Sequence, residues 1–250
     1  MSGNGILETT EMGMINDMHR LNTISNNLAN TGTVGFKRQI PVARSFESAL
    51  DQQVGQNSQI SGNGLSNRST ELKNVIDPSS GPLKYTGNSF DVAIEGEGFF
   101  EVNTQNGKLY TRQGTLSIDA SGRLTTSSGD AIMGSGGEIR ITNGDPRIDK
   151  QGRIWEKDKQ VGQLKVVTFD NPKNLEKIGS GLYSAGNTSG HVLENDKIRV
   201  RQGYLEASNV VMLNEMVQMI ETMRHFETSQ RVIKSYDDLL DNAIRTLGDY

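Results

Sequence analysis

The 250-residue chain contains no cysteine, which rules out a disulfide framework and any thiolate metal site. It has no run of eighteen apolar residues, so no segment is expected to span a membrane. Its start, Met1-Ser-Gly-Asn-Gly-Ile6, lacks the basic region and continuous apolar stretch of a cleavable secretory signal. Hydrophobic residues make up only 34% and the mean hydropathy is -0.53, which argues against one thick core. Positive patches are missing too. Residues 1–40 carry three basic and three acidic groups and residues 206–250 four and eight, so the net charge of -4 resides in the C-terminal segment and nothing recommends nucleic acid as a partner. Glycine and proline are both absent between Tyr204 and Leu247, although 19 of the 28 glycines lie in residues 81–205. The tail can therefore run as one helix, while the middle is punctuated by turns.

What is present at the two ends is a seven-residue apolar repeat. Leu7, Met14, Leu21 and Leu28 form it near the N-terminus, supported by Met18 and Ile24. Met212, Met219, Phe226, Ile233, Leu240 and Leu247 form it near the C-terminus, supported by Met216, Met223 and Ile244. Such a repeat makes a narrow helical stripe that must be buried against other helices, as in a coiled coil. The first helix is expected to take about 25 residues, with Gly13 as a weak point and Gly32 and Gly35 as terminators. The second is expected to take about 39 residues from Asn209, about 58 Å. Ser208 or Asn209 is its expected N-cap and Gly248 its stop. Two such helices flanking a β-rich middle describe a subunit of something larger than itself.

Between them, Ser, Gln, Asn and Gly fill 16 of the 26 positions 45–70, a composition with too little apolar surface to offset its own ordering entropy. The middle reads as antiparallel sheet. Asp91–Glu95 and Phe99–Val102 are short strand candidates, and Asn106-Gly107 followed by Lys108–Thr111 signals a hairpin with a type I′ turn. Ile118-Asp119-Ala120-Ser121-Gly122-Arg123-Leu124 matches Ile148-Asp149-Lys150-Gln151-Gly152-Arg153-Ile154. In each copy Asp opens a turn by bonding forward to the backbone, and Gly supplies a positive φ before the return strand. Val161–Phe169 and Ile198–Leu205 add further strands. Many short strands with regular turns indicate a barrel-like or sandwich domain.

The most specific local motif is Ile24-Ser25-Asn26-Asn27-Leu28-Ala29-Asn30-Thr31-Gly32-Thr33-Val34-Gly35-Phe36-Lys37-Arg38. Asn22, Asn26 and Asn30 recur every four residues beside the apolar stripe. A buried Asn fixes helix register at some cost in stability. The alternative is a solvated polar face, where Glu or Lys would serve helix propensity better.

This stretch resembles the N-terminal signature of the bacterial flagellar rod and hook proteins, A-N-N-L-A-N-x-x-T-x-G-F-K, with Ser25 in place of the usual alanine. Asp91-Val92-Ala93-Ile94-Glu95-Gly96-Glu97-Gly98-Phe99-Phe100 resembles the family's D-V-A-I-x-G-x-G-F-F. Tyr110-Thr111-Arg112-Gln113-Gly114 resembles its Y-T-R-x-G, and Gly203-Tyr204-Leu205-Glu206-Ala207-Ser208-Asn209-Val210 its G-x-x-E-x-S-N-V. These four motifs stand in the family's order over nearly the whole chain. Length, Arg224-His225-Phe226-Glu227 and Val232-Ile233-Lys234-Ser235 are most similar to a proximal-rod subunit. The distal-rod protein is next, usually with tyrosine where Phe226 stands. The hook protein is normally much longer.

Enzymatic readings find little support. Glu95 and Glu97 share a face on a strand, as a glycosidase pair requires, but beside Gly96 and Gly98 they read as solvated turn acids. His19, His191 and His225 have no metal-ligand spacing. The Gly96–Gly98 stretch lacks the helix start and lysine of a phosphate loop. Asp119–Gly122 is too short for a calcium loop. Trp155 reads as packed in the sheet rather than as a sugar platform. No catalytic, cofactor or metal residue is assigned.

The expected fold is α+β: a discontinuous terminal-helix coiled-coil domain (1–36 and 206–250), a connecting segment (37–80) and a central, mostly antiparallel β domain (81–205). The assembly surface is expected at Leu7, Met14, Leu21, Asn22, Asn26, Leu28, Asn30, Met212, Met219, Phe226, Ile233 and Leu240. The resemblance implies a structural subunit of the flagellar basal-body rod in the periplasm, exported without signal cleavage by the flagellar export apparatus. Its implied partners are other rod and axial subunits and copies of itself, with no cofactor, no nucleic acid and no membrane insertion. The competing classes are a peptidoglycan-acting hydrolase built on Glu95 or Glu97, and an exported adhesin with helical dimerisation ends.

Overall fold

The computed structural model describes residues 3–43, 72–105, 107–142, 144–186, 188–194 and 196–248. The Ser/Asn/Gln-rich stretch expected over 45–70 lies outside the described residues. The chain divides into two compact units: Met1–Leu28 with Ile40–Asn74 and Met212–Tyr250, and Ala29–Gln39 with Val75–Val211. The fold is α+β, with one N-terminal helix, one C-terminal helix and a mostly antiparallel sheet domain.

In the first unit, helix α1 spans Gly3–Ala29 and passes unbroken through Gly13. Helix α2 spans Met212–Gly248. It starts three residues later than the Asn209 expectation, and neither Ser208 nor Asn209 caps it. Ser208 Oγ accepts from the Val210 amide, and the Asn209 side chain is committed elsewhere. The two helices carry matching seams. On α2 the half-buried or buried positions are Glu215, Met219, Thr222, Phe226, Ser229, Ile233 and Tyr236, alternating by four and three. On α1 they include Leu7, Thr10, Met14, Asp17, Leu21, Ile24 and Leu28. Asn27 Nδ2 donates to Glu215 Oε2 at 3.1 Å, and Asp17 pairs with His225 Nδ1. Ten residues back along α1 match ten residues forward along α2, so the helices run antiparallel.

In the second unit, the main sheet has ten strands. Its path runs Glu176–Gly179, Leu182–Ser184, Gly107–Thr111, Phe99–Thr104, Ala131–Gly134, Leu124–Thr126, Leu116–Ile118. Val166–Phe169 pairs antiparallel with both Phe99–Thr104 and Gly190–Val192. Arg147–Ile148, Arg153–Glu156 and Lys159–Gln163 form a separate three-stranded sheet. The described strands do not close into a barrel. The hairpin signalled at residues 106–107 forms with Thr104 opposite Gly107. The turn thus comes one residue earlier than expected, and Gly107 spends its positive φ of 105° on opening the return strand.

Both copies of the internal repeat fold alike. Asp119 Oδ1 accepts from the Ser121 and Arg123 amides at 2.8 and 2.9 Å, and its Oδ2 holds Arg123 Nε at 2.8 Å. Asp149 accepts from Gln151, Arg153 and Arg153 Nε in the same way. Trp155, on its strand, donates Nε1 to Asp149 Oδ2. The principal core is aliphatic and gathers Val92, Phe100, Val102, Leu124, Ile132, Ile154, Leu164, Val166 and Ile198. A second cluster is aromatic: Phe99, Phe169 and Tyr183, with Tyr110 edge-on to Phe169 at 4.8 Å between centroids. That cluster underlies the site.

Candidate functional site

The loop that follows α1 and the segment that leads into α2 are bonded to each other. The Gly35 amide donates to Glu206 O at 2.7 Å, and the Asn209 amide to Phe36 O. Asn209 Oδ1 accepts from the Arg38 amide at 2.7 Å. Asn209 Nδ2 donates to Asp77 O, Ser79 O and Ser79 Oγ at 3.0–3.1 Å. One asparagine therefore ties together three stretches of chain, at residues 36–38, 77–79 and 209.

Underneath lies a buried set of charges. Lys37 and Glu206 are each 1% exposed, with Lys37 Nζ 2.7 Å from Glu206 Oε1. Nζ also donates to Ser79 O at 2.7 Å, and the Gly81 amide donates to the same Oε1 at 2.8 Å. Arg112 Nε lies 3.2 Å from Glu206 Oε2, an ion-pair distance whose angle makes no hydrogen bond. Arg112 Nη2 donates to Gly96 O and Ser80 Oγ. Burial, and then the charge of Arg112, hold the Lys37 ammonium below its usual range, against the pull of Glu206. Burial pushes the Tyr183 phenol up to about 12, so it stays protonated where it accepts from the Lys37 amide. Phe36 is buried beside this set, with Lys177 Nζ 4.4 Å above its ring.

Glycine is needed where the loop meets the sheet. Gly35 has φ of 67°, and a Cβ there would lie 2.5 Å from the Arg112 carbonyl carbon. The motif's Gly-Phe-Lys is thus a backbone approach, an apolar plug and a buried cation, in that order.

The assembly residues read from the sequence fall as follows. Leu7, Met14, Leu21 and Leu28 are half-buried, as are Met219, Phe226 and Ile233, while Met212 and Leu240 are exposed. Asn22 and Asn26 are exposed, and Asn30 is half-buried, its Oδ1 accepting from Thr33 Oγ1. The buried asparagine of α1 is Asn27. A second apolar stripe stays open to solvent: Leu213, Met216, Val217, Ile220 and Met223 on α2, with Met12, Ile15 and Met18 on α1.

Sequence reasoning did not find Lys37, Arg112, Glu206 or Asn209 as one site. Each lay inside a quoted motif, but nothing in a linear reading joins residues 169 apart. Asp17 and Glu215 lie in seven-residue registers that are largely polar, Thr10-Asp17-Ile24 on α1 and Glu215-Thr222-Ser229-Tyr236 on α2, so the apolar repeat does not point to them. Glu95 pairs bidentately with Arg201 at 2.8 and 3.0 Å, whereas Glu97 is exposed. Among the described residues no three His, Asp or Glu side chains gather as a metal site.

Three family models match. One, described as flagella basal body rod protein, covers residues 7–37. Another, flagellar hook protein FlgE/F/G D1 domain, covers 93–158, and a third, flagellar basal body rod FlgEFG protein C-terminal, covers 201–246. The flagellar basal-body rod protein FlgG of Buchnera aphidicola subsp. Schizaphis graminum is 34% identical over 241 residues, 88% of this chain and 91% of that protein. FlgG of Bacillus subtilis is 30% identical over 93% of this chain and 95% of its own length. The rod protein FlgF of Mesorhizobium japonicum is 30% identical over 92% of each. Lys37, Arg112 and Glu206 fall one in each of the three matched segments.

Proposed function

Because the chain belongs to the flagellar basal-body rod protein family, we propose that it builds the rod by packing its terminal helices with those of neighbouring copies and other axial subunits, and that it transmits torque across the periplasm through the junction at the helix roots. It is a structural subunit of the flagellar basal body and a component of the motility machinery, not an enzyme.

The observation that carries the torque reading is the knot formed by Lys37, Arg112, Glu206 and Asn209. A load-bearing subunit must not yield where its helices join its sheet domain. Buried charge pairs are poor sources of net stability but strong sources of a unique geometry, because any displaced arrangement leaves a charge unpaired and dry. The two apolar stripes on each helix support helix packing in a larger coiled-coil assembly: one seam faces within the unit, the other is open and supplies area. Met212 and Leu240, which are exposed, join the open stripe as proposed contacts with neighbours. Leu7, Met14, Leu21, Leu28, Met219, Phe226 and Ile233, half-buried in the seam, contribute the area they keep exposed, with Asn22, Asn26 and Asn30 setting register. Export by the flagellar apparatus without signal cleavage is part of this reading. Chain length and the Arg224–Glu227 and Val232–Ser235 segments support a proximal position in the rod. The Asp91–Phe100 segment suits a distal one equally.

Asn209→Ala tests the junction. It removes four side-chain hydrogen bonds at the roots without touching either helix stripe. The expected result is a β unit that still folds, weakened by about 1–3 kcal/mol, with cells that stall as medium viscosity rises. Cells of this variant that swim as the wild type does under high viscous load would remove the junction from the load path.

A further inference from the structure

Beside the junction lies a cleft of about 410 Å³ that the assembly reading does not use. Arg112 forms part of its lining and is only 2% exposed. A guanidinium carries five N–H donors in a rigid fork. Here only Nη2 is engaged, on Gly96 O and Ser80 Oγ, while Nη1 and Nε have no hydrogen-bond partner among the described residues. The charge count is also incomplete. Two buried cations, Lys37 and Arg112, share one buried carboxylate, Glu206. A buried guanidinium with idle donors is a state that proteins ordinarily avoid, and a second anion would relieve it.

The rest of the cleft says what kind of anion. Phe99 and Phe169 stand edge to face at 5.9 Å and form an aromatic wall, with Pro78 and Pro172 also lining the space. Arg112 lies 5.6 Å from the Phe99 ring, so the cation and the apolar wall are adjacent. Lys173 is exposed at the rim, and so is Glu97, whose charge acts on Arg112. Asp77 lines the cleft as well, its Oδ1 occupied by the Ser79 amide. With Glu97 and Asp77 present, a dianion such as phosphate meets repulsion. One carboxylate on an aromatic or branched apolar body carries half that charge and meets correspondingly less repulsion, and an unpartnered guanidinium nitrogen can donate one charge-assisted hydrogen bond to it.

We infer that this cleft is a recognition site for a single carboxylate carried on an apolar body, with Arg112 as the anion-binding group, Phe99 and Phe169 as the wall, and Lys173 and Glu97 as opposed rim charges. The carboxylate can belong to a free small acid or to an acidic side chain beside an aromatic one in a peptide segment. The site rests on the cleft alone and does not require the rod reading.

Titration of the isotope-labelled full chain with hydrocinnamate, followed by NMR at Arg112 Nε–H and the Gly96 and Gly98 amides, is the direct test. Saturable shifts are expected, with hydrocinnamamide at least about tenfold weaker, since it lacks the charge. Lys173→Gln should weaken hydrocinnamate about threefold and Glu97→Gln should tighten it about threefold, the size of an exposed charge interaction. Neither residue belongs to the buried set, so both variants should fold. A second arm uses acetyl-Phe-Glu-amide against acetyl-Phe-Gln-amide. Tighter binding of the Glu dipeptide than of hydrocinnamate assigns the site to protein segments; the reverse order assigns it to free acids. Absence of saturation in both arms, equal binding of acid and amide, or rim variants with no opposite effects would overturn the inference.

Discussion

Glu206 holds its junction with both carboxylate oxygens: Oε1 takes the Lys37 ammonium and the Gly81 amide, and Oε2 faces Arg112. Removing its charge leaves two cations in the dark. Glu206→Gln should therefore destabilise the folded chain by about 3–5 kcal/mol, the penalty for breaking a buried pair on one side. Urea titration of the full chain would measure it. The double variant Glu206→Gln with Lys37→Met should recover part of that loss, because it removes one of the stranded charges as well. Additive losses in the double variant would mean that the two residues do not act as a pair. At this scale the sequence shows only residue types, and a buried lysine is written with the same letter as a solvated one. Lys37 was quoted for its place in a motif, while its burial follows from Tyr183, Ser79 and Glu206, none of them near it in sequence.

At the scale of elements, much more is local and hence readable. The repeat turns at Asp119 and Asp149 formed as their side-chain chemistry dictates, because Asp, two intervening residues and Gly carry the whole turn. The helical spans followed from the heptads and from where glycine is missing. The start of α2 was misplaced because Ser208 and Asn209 look like caps in isolation, yet the Asn209 side chain serves Arg38, Asp77 and Ser79 instead. The asparagine stripe of α1 shows the same boundary. Spacing by four picked out Asn22, Asn26 and Asn30, but it is Asn27 that is buried against Glu215 on the antiparallel neighbour. Asn27→Ala should leave the Glu215 carboxylate short of a donor and lower the helicity or melting temperature of the isolated chain, by circular dichroism. Asn26→Ala should leave that melting curve nearly unchanged and show itself, if anywhere, in shortened or fragile rods in isolated basal bodies. Loss of monomer stability in Asn26→Ala alone, with Asn27→Ala silent, would reverse these assignments.

For the whole molecule, the distribution of burial sets an order of stability. The second unit holds nearly all of the described apolar core, whereas α2 keeps Leu213, Ile220, Leu239 and Ile244 more than half exposed. In a demonstrated monomer, amide exchange should be slow through the main sheet and at Gly35 and Lys37, and fast along α2 beyond Phe226, where the described seam positions are only half-buried. Uniform protection of α2 would contradict this ordering. The exchange pattern would also show residues 29–39 behaving with the sheet rather than with the helix they follow.

The bond between residues 36–38 and 206–209 has a further consequence. The chain leaves α1, crosses a few residues, and is fastened to itself before it enters α2, so the stretch between Lys37 and Glu206, which stand 169 positions apart, hangs as a pendant closed at its base. The load path proposed above would run from one helix to the other through that short splice, with Arg112 and Tyr183 of the sheet domain bracing it. Ser79, Gly81 and Arg112, which belong to the pendant, are bonded into the splice as well, so the pendant is pinned at those points. Only the stretches of the pendant away from Asp77–Gly81 and Arg112 can change length without loosening the base that holds it.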